Sequence, residues 1–276
     1  MKVSKKNSSI FKVLLTLLCA IGTLSNGIVV KATSHHVQIS FPFDGWYASW
    51  GNQTGKPALI TIDGETAFCI EPGHIVHVGS NNEISFSNII VNNQPISLEM
   101  QKRLTYIKYF GYDINPTEDN YVLTQNLIWD ELGGREDGGH YLHPIKYPTP
   151  KSMEAWKKTV LDKVNQMEVM PSFDGQTISL NQNESITLTD TNHILDQYTI
   201  SASKGLTLSK TNDQLTITAG SEADENVTIH LKQNIMSSSM GVLFAVKNTE
   251  ADSQAVSTLK LTSYASASLH INVKHY

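Results

Sequence analysis

The stretch Ala58-Leu59-Ile60-Thr61-Ile62-Asp63-Gly64-Glu65-Thr66-Ala67-Phe68-Cys69-Ile70-Glu71-Pro72-Gly73 reads as two strands joined by a two-residue turn. Asp-Gly accepts the left-handed backbone of a tight hairpin turn, whose twist matches that of the flanking strands. Alternation puts Cys69 at the end of the second strand, on the face of Ala67 and opposite Phe68 and Ile70. The chain has two cysteines, and the other, Cys19, lies in the apolar run Val13 to Ile21 behind Lys2, Lys5 and Lys6. That short run, its basic start and the following Val30-Lys31-Ala32 predict a signal peptide over residues 1–32, not a membrane span. Leu18 before Cys19 argues against lipid attachment there. Cys69 is then the lone thiol of an exported protein, a liability unless it is paired, reactive or blocked.

Downstream of the hairpin, apolar residues recur at helical spacing in three segments. The first runs from about Ser97 to Phe110, with Met100, Leu104 and Ile107 on one face and Gly111 as its stop. The second runs from about Thr117 to Gly133-Gly134, with Tyr121/Val122, position 125, Ile128/Trp129 and Leu132 as its stripe. The third, near Ser152 to Met167, carries Met153, Trp156, Val160, Val164 and Met167. A composition shift marks a boundary at Met170-Pro171, since all four tryptophans lie before it and period-two alternation dominates after it. Gln214 to Thr218, Val227 to Leu231 and Leu269 to Val273 alternate in this way, which predicts an antiparallel β-sandwich. The expected organisation is an α+β domain over 33–170 followed by an all-β sandwich, acting as stalk or spacer, over 171–276.

Position 125, in the apolar stripe of the second helix, is glutamine. A buried carboxamide costs free energy unless it finds a partner. Cys69 and Gln125 solve each other's problem if the sulfur attacks the carboxamide, expels ammonia and leaves an internal thioester. A strand supplies a fixed sulfur and a helix a fixed side chain, and such orientation accelerates an otherwise very slow attack. Phe68, Ile128 and Trp129 would keep water from the finished bond. The product is an acylating agent: an amine attacks the carbonyl, frees Cys69 and remains attached through the former Gln125 side chain.

Phe68-Cys69-Ile70-Glu71-Pro72-Gly73 and Thr124-Gln125-Asn126-Leu127-Ile128-Trp129 closely resemble the two signature motifs of the thioester domains of Gram-positive surface adhesins. The resemblance spans about Val37 to Met170 and includes the Tyr-rich segment Tyr106 to Tyr112; the part from Pro171 on resembles the β-domain that commonly follows. It implies that Cys69 and Gln125 form the thioester; Glu71, Thr124, Trp129 and His140 are expected to support them, with Glu71 and His140 as the candidate bases for bond formation. It also implies a secreted or cell-surface protein that binds covalently, once, to a lysine amine of a host-surface, matrix or plasma protein, rather than an enzyme. Family members usually carry a wall-sorting signal, and Ser268 to Tyr276 reads instead as a strand. The protein is therefore expected either to be released or to be the front of something longer.

The alternative is a cysteine hydrolase or transglutaminase, with Cys69 served by His74, His77, His140 or His143 as base. That reading leaves Gln125 unexplained, and such nucleophiles often sit at a helix N-terminus rather than before a Pro-Gly turn. His74/His77 and His140/His143 share a two-residue gap that would suit a metal together with Cys69, but the usual paired-cysteine spacing is missing and surface histidine is the expectation. No cofactor is called for. Trp46, Tyr47 and Trp50 suggest a sugar platform less readily than a closed core. The sequons at Asn52, Asn183 and Asn226 fit chance in a chain rich in Asn, Ser and Thr. A Lys–Asn isopeptide bond finds only the poor match Lys232 with Asn272. With 26 acidic against 21 basic residues, nothing supports a nucleic-acid partner.

Overall fold

The computed structural model describes residues 33–133 and 141–276. The predicted signal peptide and His140 lie outside them.

The first strands are β1 (Ser34–Ser40), β2 (Trp46–Trp50), β3 (Gln53–Gly55), β4 (Leu59–Ile62), β5 (Glu65–Cys69) and β6 (Gly79–Ile84). Asp63 and Gly64 turn β4 into β5 with φ of 52° and 85°, the positive values that the Asp-Gly pair predicts. A short hairpin, β7 (Ile90–Val91) and β8 (Gln94–Pro95), leads to the helices α1 (Leu98–Lys108), α2 (Glu118–Glu131) and α3 (Pro150–Gln166), with β9 (Tyr141–Pro144) before the last. The side chains of Ser97, Thr117 and Thr149 cap the three helices by accepting from a backbone N–H of the first turn. Each helix falls where its apolar spacing puts it. Gly111 is not the stop expected for the first helix: past α1 the backbone widens into a π turn, Tyr109–Asp113, that contains it and is closed by Ile114 N–H on the Tyr109 carbonyl at 3.2 Å.

The remaining strands are β10 (Thr177–Asn181), β11 (Ser185–Thr189), β12 (Tyr198–Ala202), β13 (Leu206–Thr211), β14 (Gln214–Ala219), β15 (Asn226–Gln233), β16 (Ala245–Lys247), β17 (Val256–Ser257) and β18 (Ser266–Lys274). A four-stranded sheet β10-β18-β15-β12 and a three-stranded sheet β11-β14-β13 share one apolar core, built from residues such as Tyr198, Leu215, Ile229 and Ile271. Their alternation is the one read from the sequence. The pairing is not antiparallel throughout, because β10 runs parallel to β18. Lys232 and Asn272 lie on the paired strands β15 and β18, but Lys232 faces Ser266 in register and its ammonium sits over the Tyr264 ring.

The boundary expected at Met170-Pro171 does not cut the chain into two contiguous domains. β16 and β17, from far beyond it, return to the first half and close a six-stranded barrel in the order β1-β4-β5-β17-β16-β6. Ala245, Val246, Ala255, Val256, Leu259 and Leu261 accordingly belong to the same core as Phe68, Ile107 and Ile128. Composition missed this because the returning strands are only three and two residues long, too short to show a period of their own.

Candidate functional site

Cys69 ends β5, and its strand is enclosed on both sides: Ala67, Phe68, Cys69 and Ile70 are all buried. Both faces of the strand are therefore covered, the one expected to carry Ala67 and Cys69 and the one expected to carry Phe68 and Ile70. Across from β5 runs α2, of which every residue from Tyr121 to Trp129 is buried. Gln125 is 3% exposed, and its carboxamide lies against the peptide groups of Cys69. Cys69 N–H donates to Gln125 Oε1 at 2.8 Å, and Gln125 Nε2 donates to the Cys69 carbonyl at 2.9 Å. One backbone donor and one backbone acceptor fix which end of the carboxamide is oxygen. The side chain thus stands in for a neighbouring strand, and the desolvation cost of a buried amide is offset.

Asn126, next in the helix, does the same on the other side. Its Nδ2 donates to the Leu142 carbonyl at 2.7 Å and its Oδ1 accepts from Leu142 N–H at 3.0 Å. Two successive carboxamides therefore clasp α2 between the barrel and β9. Sequence reading passed over Asn126; its signal was a poor helix former in mid-helix.

Burial pushes the Cys69 thiol far above its ordinary range, so at neutral pH the free sulfur is protonated. No described histidine hydrogen-bonds to it. His74 pairs with Asp252 at 2.7 Å, the His77 carbonyl accepts from Asn81, and His143 meets Ser49 Oγ at 2.7 Å while stacking on Tyr47. Among the described residues no three His, Cys, Asp or Glu side chains gather as a metal site.

Glu71 is buried, and its role is visible. Its Oε2 takes the Lys247 ammonium at 2.7 Å and the Ala255 N–H at 3.0 Å. It ties the returning strands to the end of β5, where Val256 is the register partner of Cys69. A carboxylate so engaged holds Lys247 and Ala255 against the end of β5. Thr124 is fully buried, with its hydroxyl unpartnered among the described residues, and packs where a Cβ on Gly111 of the π turn would stand. Trp129 is buried one turn beyond Gln125.

A cavity of about 510 Å³ opens over the pair, lined by Cys69, Gln125, Trp129, Trp50, Ile60 and Ile75 among others. Ile75, at its edge, is 74% exposed. The buried sulfur and carboxamide therefore lie at the floor of a groove open to solvent.

No protein-family model and no curated protein matches the sequence. Among solved structures, the thioester domain of the Staphylococcus aureus TIE protein is similar, with a TM-score of 0.64 at 23% identity. The likeness covers all of that chain and 88% of this one, more than the stretch before Met170 could supply. Barrel, helices and much of the second pair of sheets thus fall within it. The chain has the fold of a thioester domain.

Proposed function

We propose that the protein is a secreted or cell-surface adhesin of a Gram-positive bacterium that carries an internal Cys69–Gln125 thioester and spends it once, on an amine of a host-surface, matrix or plasma protein. The observation that carries the reading is the two-point grip of the Gln125 carboxamide on the Cys69 backbone.

The grip suits each step. Sγ adds to Cδ of Gln125, and the carbonyl oxygen gains negative charge where Cys69 N–H already donates at 2.8 Å, an oxyanion donor in place before the reaction. The Cδ–Nε2 bond breaks, the thiol proton ends on the departing nitrogen, and ammonia leaves. A target amine later adds to the same carbon; the C–S bond breaks, the sulfur takes a proton, and an amide remains. Because the acyl group stays on the target, the protein acts once and is not a catalyst. The burial of the pair shields the bond from water, and the open cavity above it gives an amine a way in.

Supporting the location are the basic, apolar N-terminal sequence and the absence, among the described residues, of a helix long and apolar enough to cross a membrane. The test is intact mass. The mature protein is expected to lack one ammonia, and methylamine should add to it stoichiometrically. Cys69→Ala should abolish the deficit and keep the fold. Gln125→Ala should abolish it too and cost about 2–4 kcal/mol, since it opens a hole and leaves the Cys69 N–H and carbonyl unpaired. With excess lysine-bearing plasma or matrix protein, the expected product is one detergent-stable adduct per molecule. Several modified targets per molecule would instead establish catalysis.

A further inference from the structure

We infer that Tyr121 is a positioning residue for the Cys69–Gln125 pair: its hydroxyl ends the β4–β5 ladder early, so that a helix carboxamide meets the cysteine instead of the neighbouring strand. The inference rests on the thioester reading above. The register makes the case. β4 and β5 pair Ile62 with Glu65, Thr61 with Thr66 and Ile60 with Ala67, and stop there. Along an antiparallel strand the peptide groups alternate between the two neighbours. In a two-residue hairpin, residues 65, 67 and 69 turn theirs toward β4, while 68 and 70 turn theirs toward β17. Ile70 N–H accordingly donates to the Ala255 carbonyl at 3.0 Å. One step further, the ladder would put Ala58 opposite Cys69 and take both of its peptide groups.

That step is not made. At the last pair, Tyr121 Oη accepts from Ile60 N–H at 3.1 Å and donates to the Ala67 carbonyl at 2.9 Å. One helical turn later, Gln125 fills the place where Ala58 would pair. Tyr121 and Gln125 are four residues apart, hence on one face of α2, and grip β5 at Ala67 and Cys69, two residues apart, hence on one edge. The match of these two repeats fixes the helix against the strand at two points. The Tyr121 ring is held by stacking on Phe68 and Phe43, with centroids 4.7 and 5.3 Å away. Burial keeps the phenol protonated well beyond its ordinary range, so the hydroxyl remains a donor. The competing arrangement zips β4 onto β5 as far as Ala58 and leaves Gln125 without a partner.

The experiment follows the loss of ammonia by intact mass after pulsed expression, in the full chain and in Tyr121→Phe. A full chain that never loses ammonia would overturn the thioester reading and this inference with it. If the full chain does lose it, Tyr121→Phe is expected to unfold cooperatively but form the thioester at least about ten-fold more slowly, as misplacement of reacting groups predicts. The fraction that does form should be discharged by methylamine at the normal rate, because the finished bond holds its own geometry. Equal formation rates would overturn the positioning role and leave the thioester standing. Should Tyr121→Phe fail to fold, 3,5-difluorotyrosine at position 121 takes its place, keeping ring and hydroxyl but weakening the oxygen as acceptor. Slowed formation supports the role and an unchanged rate overturns it.

Discussion

A carboxamide carries the same donor and acceptor as a peptide bond, and α2 uses two of them in succession to pair with backbone. Gln125 takes the Cys69 peptide groups and Asn126 those of Leu142. Hydrophobicity favours neither residue in a buried stripe and helix propensity also disfavours Asn126, so their presence marks where pairing outweighs these costs. Beside them the π turn brings Gly111 against Thr124. A methyl group there would collide with Thr124 Oγ1 and press on the helix next to Gln125. Gly111→Ala is expected to cost about 1–3 kcal/mol, the range for overpacking a closed interior, and to slow thioester formation. Denaturant unfolding together with intact mass checks both; a variant as stable and as fully reacted as the parent would show that α2 has room to shift.

At the level of elements, β5 is held by three different neighbours. β4 pairs with its first half, β17 with its second, and α2 supplies the side chains at the Cys69 end. β17 is only two residues long and depends on Glu71, which grips Ala255 and Lys247 from the loop just past Cys69. Removing one partner of a largely buried ion pair leaves an uncompensated charge. Glu71→Ala should therefore destabilise the protein by about 2–4 kcal/mol, somewhat below the fully buried range because Lys247 keeps contact with water. The same change should speed amine or water attack on the thioester as the edge beside Cys69 loosens. Melting curves and the decay of the ammonia-deficient mass measure the two effects. A Glu71→Ala protein of normal stability whose thioester never forms would point instead to a chemical role for the carboxylate.

On the scale of the whole molecule, the chain leaves the barrel after α3, builds two sheets, returns as β16 and β17, and ends in β18 at the centre of the four-stranded sheet. Gln233 marks the crossing: its Nε2 donates to the Met167 carbonyl at 3.0 Å and its Oε1 accepts from Ala265 N–H at 3.1 Å. The barrel core is not complete without chain from both sides of Met170, whereas the buried residues of the second core all lie beyond it. A chain ending at Met170 would lack two of six barrel strands and expose Phe68 and its neighbours. It is expected not to fold, giving a poorly dispersed amide spectrum and no cooperative melt, whereas residues 34–276 should fold. A well-dispersed spectrum from the short chain would mean that the barrel closes without β16 and β17.

The hairpin, the three helices, the alternating strands and the pair Cys69 and Gln125 were all legible in the sequence. Each depends on local rules: Asp-Gly at a tight turn, apolar spacing of three or four, period two, and a polar residue where an apolar one belongs. The return of β16 and β17, the parallel pairing of β10 with β18, the ion pair of Glu71 with Lys247 and the hydroxyl of Tyr121 in the ladder were not. These join residues far apart in the chain, 176 positions for Glu71 and Lys247, and no local pattern encodes which strand will lie beside which. Sequence determined that a cysteine and a glutamine needed partners. Only the tertiary structure decided that the ladder stops at Ile60 and Ala67, and that the gap beyond it admits the glutamine.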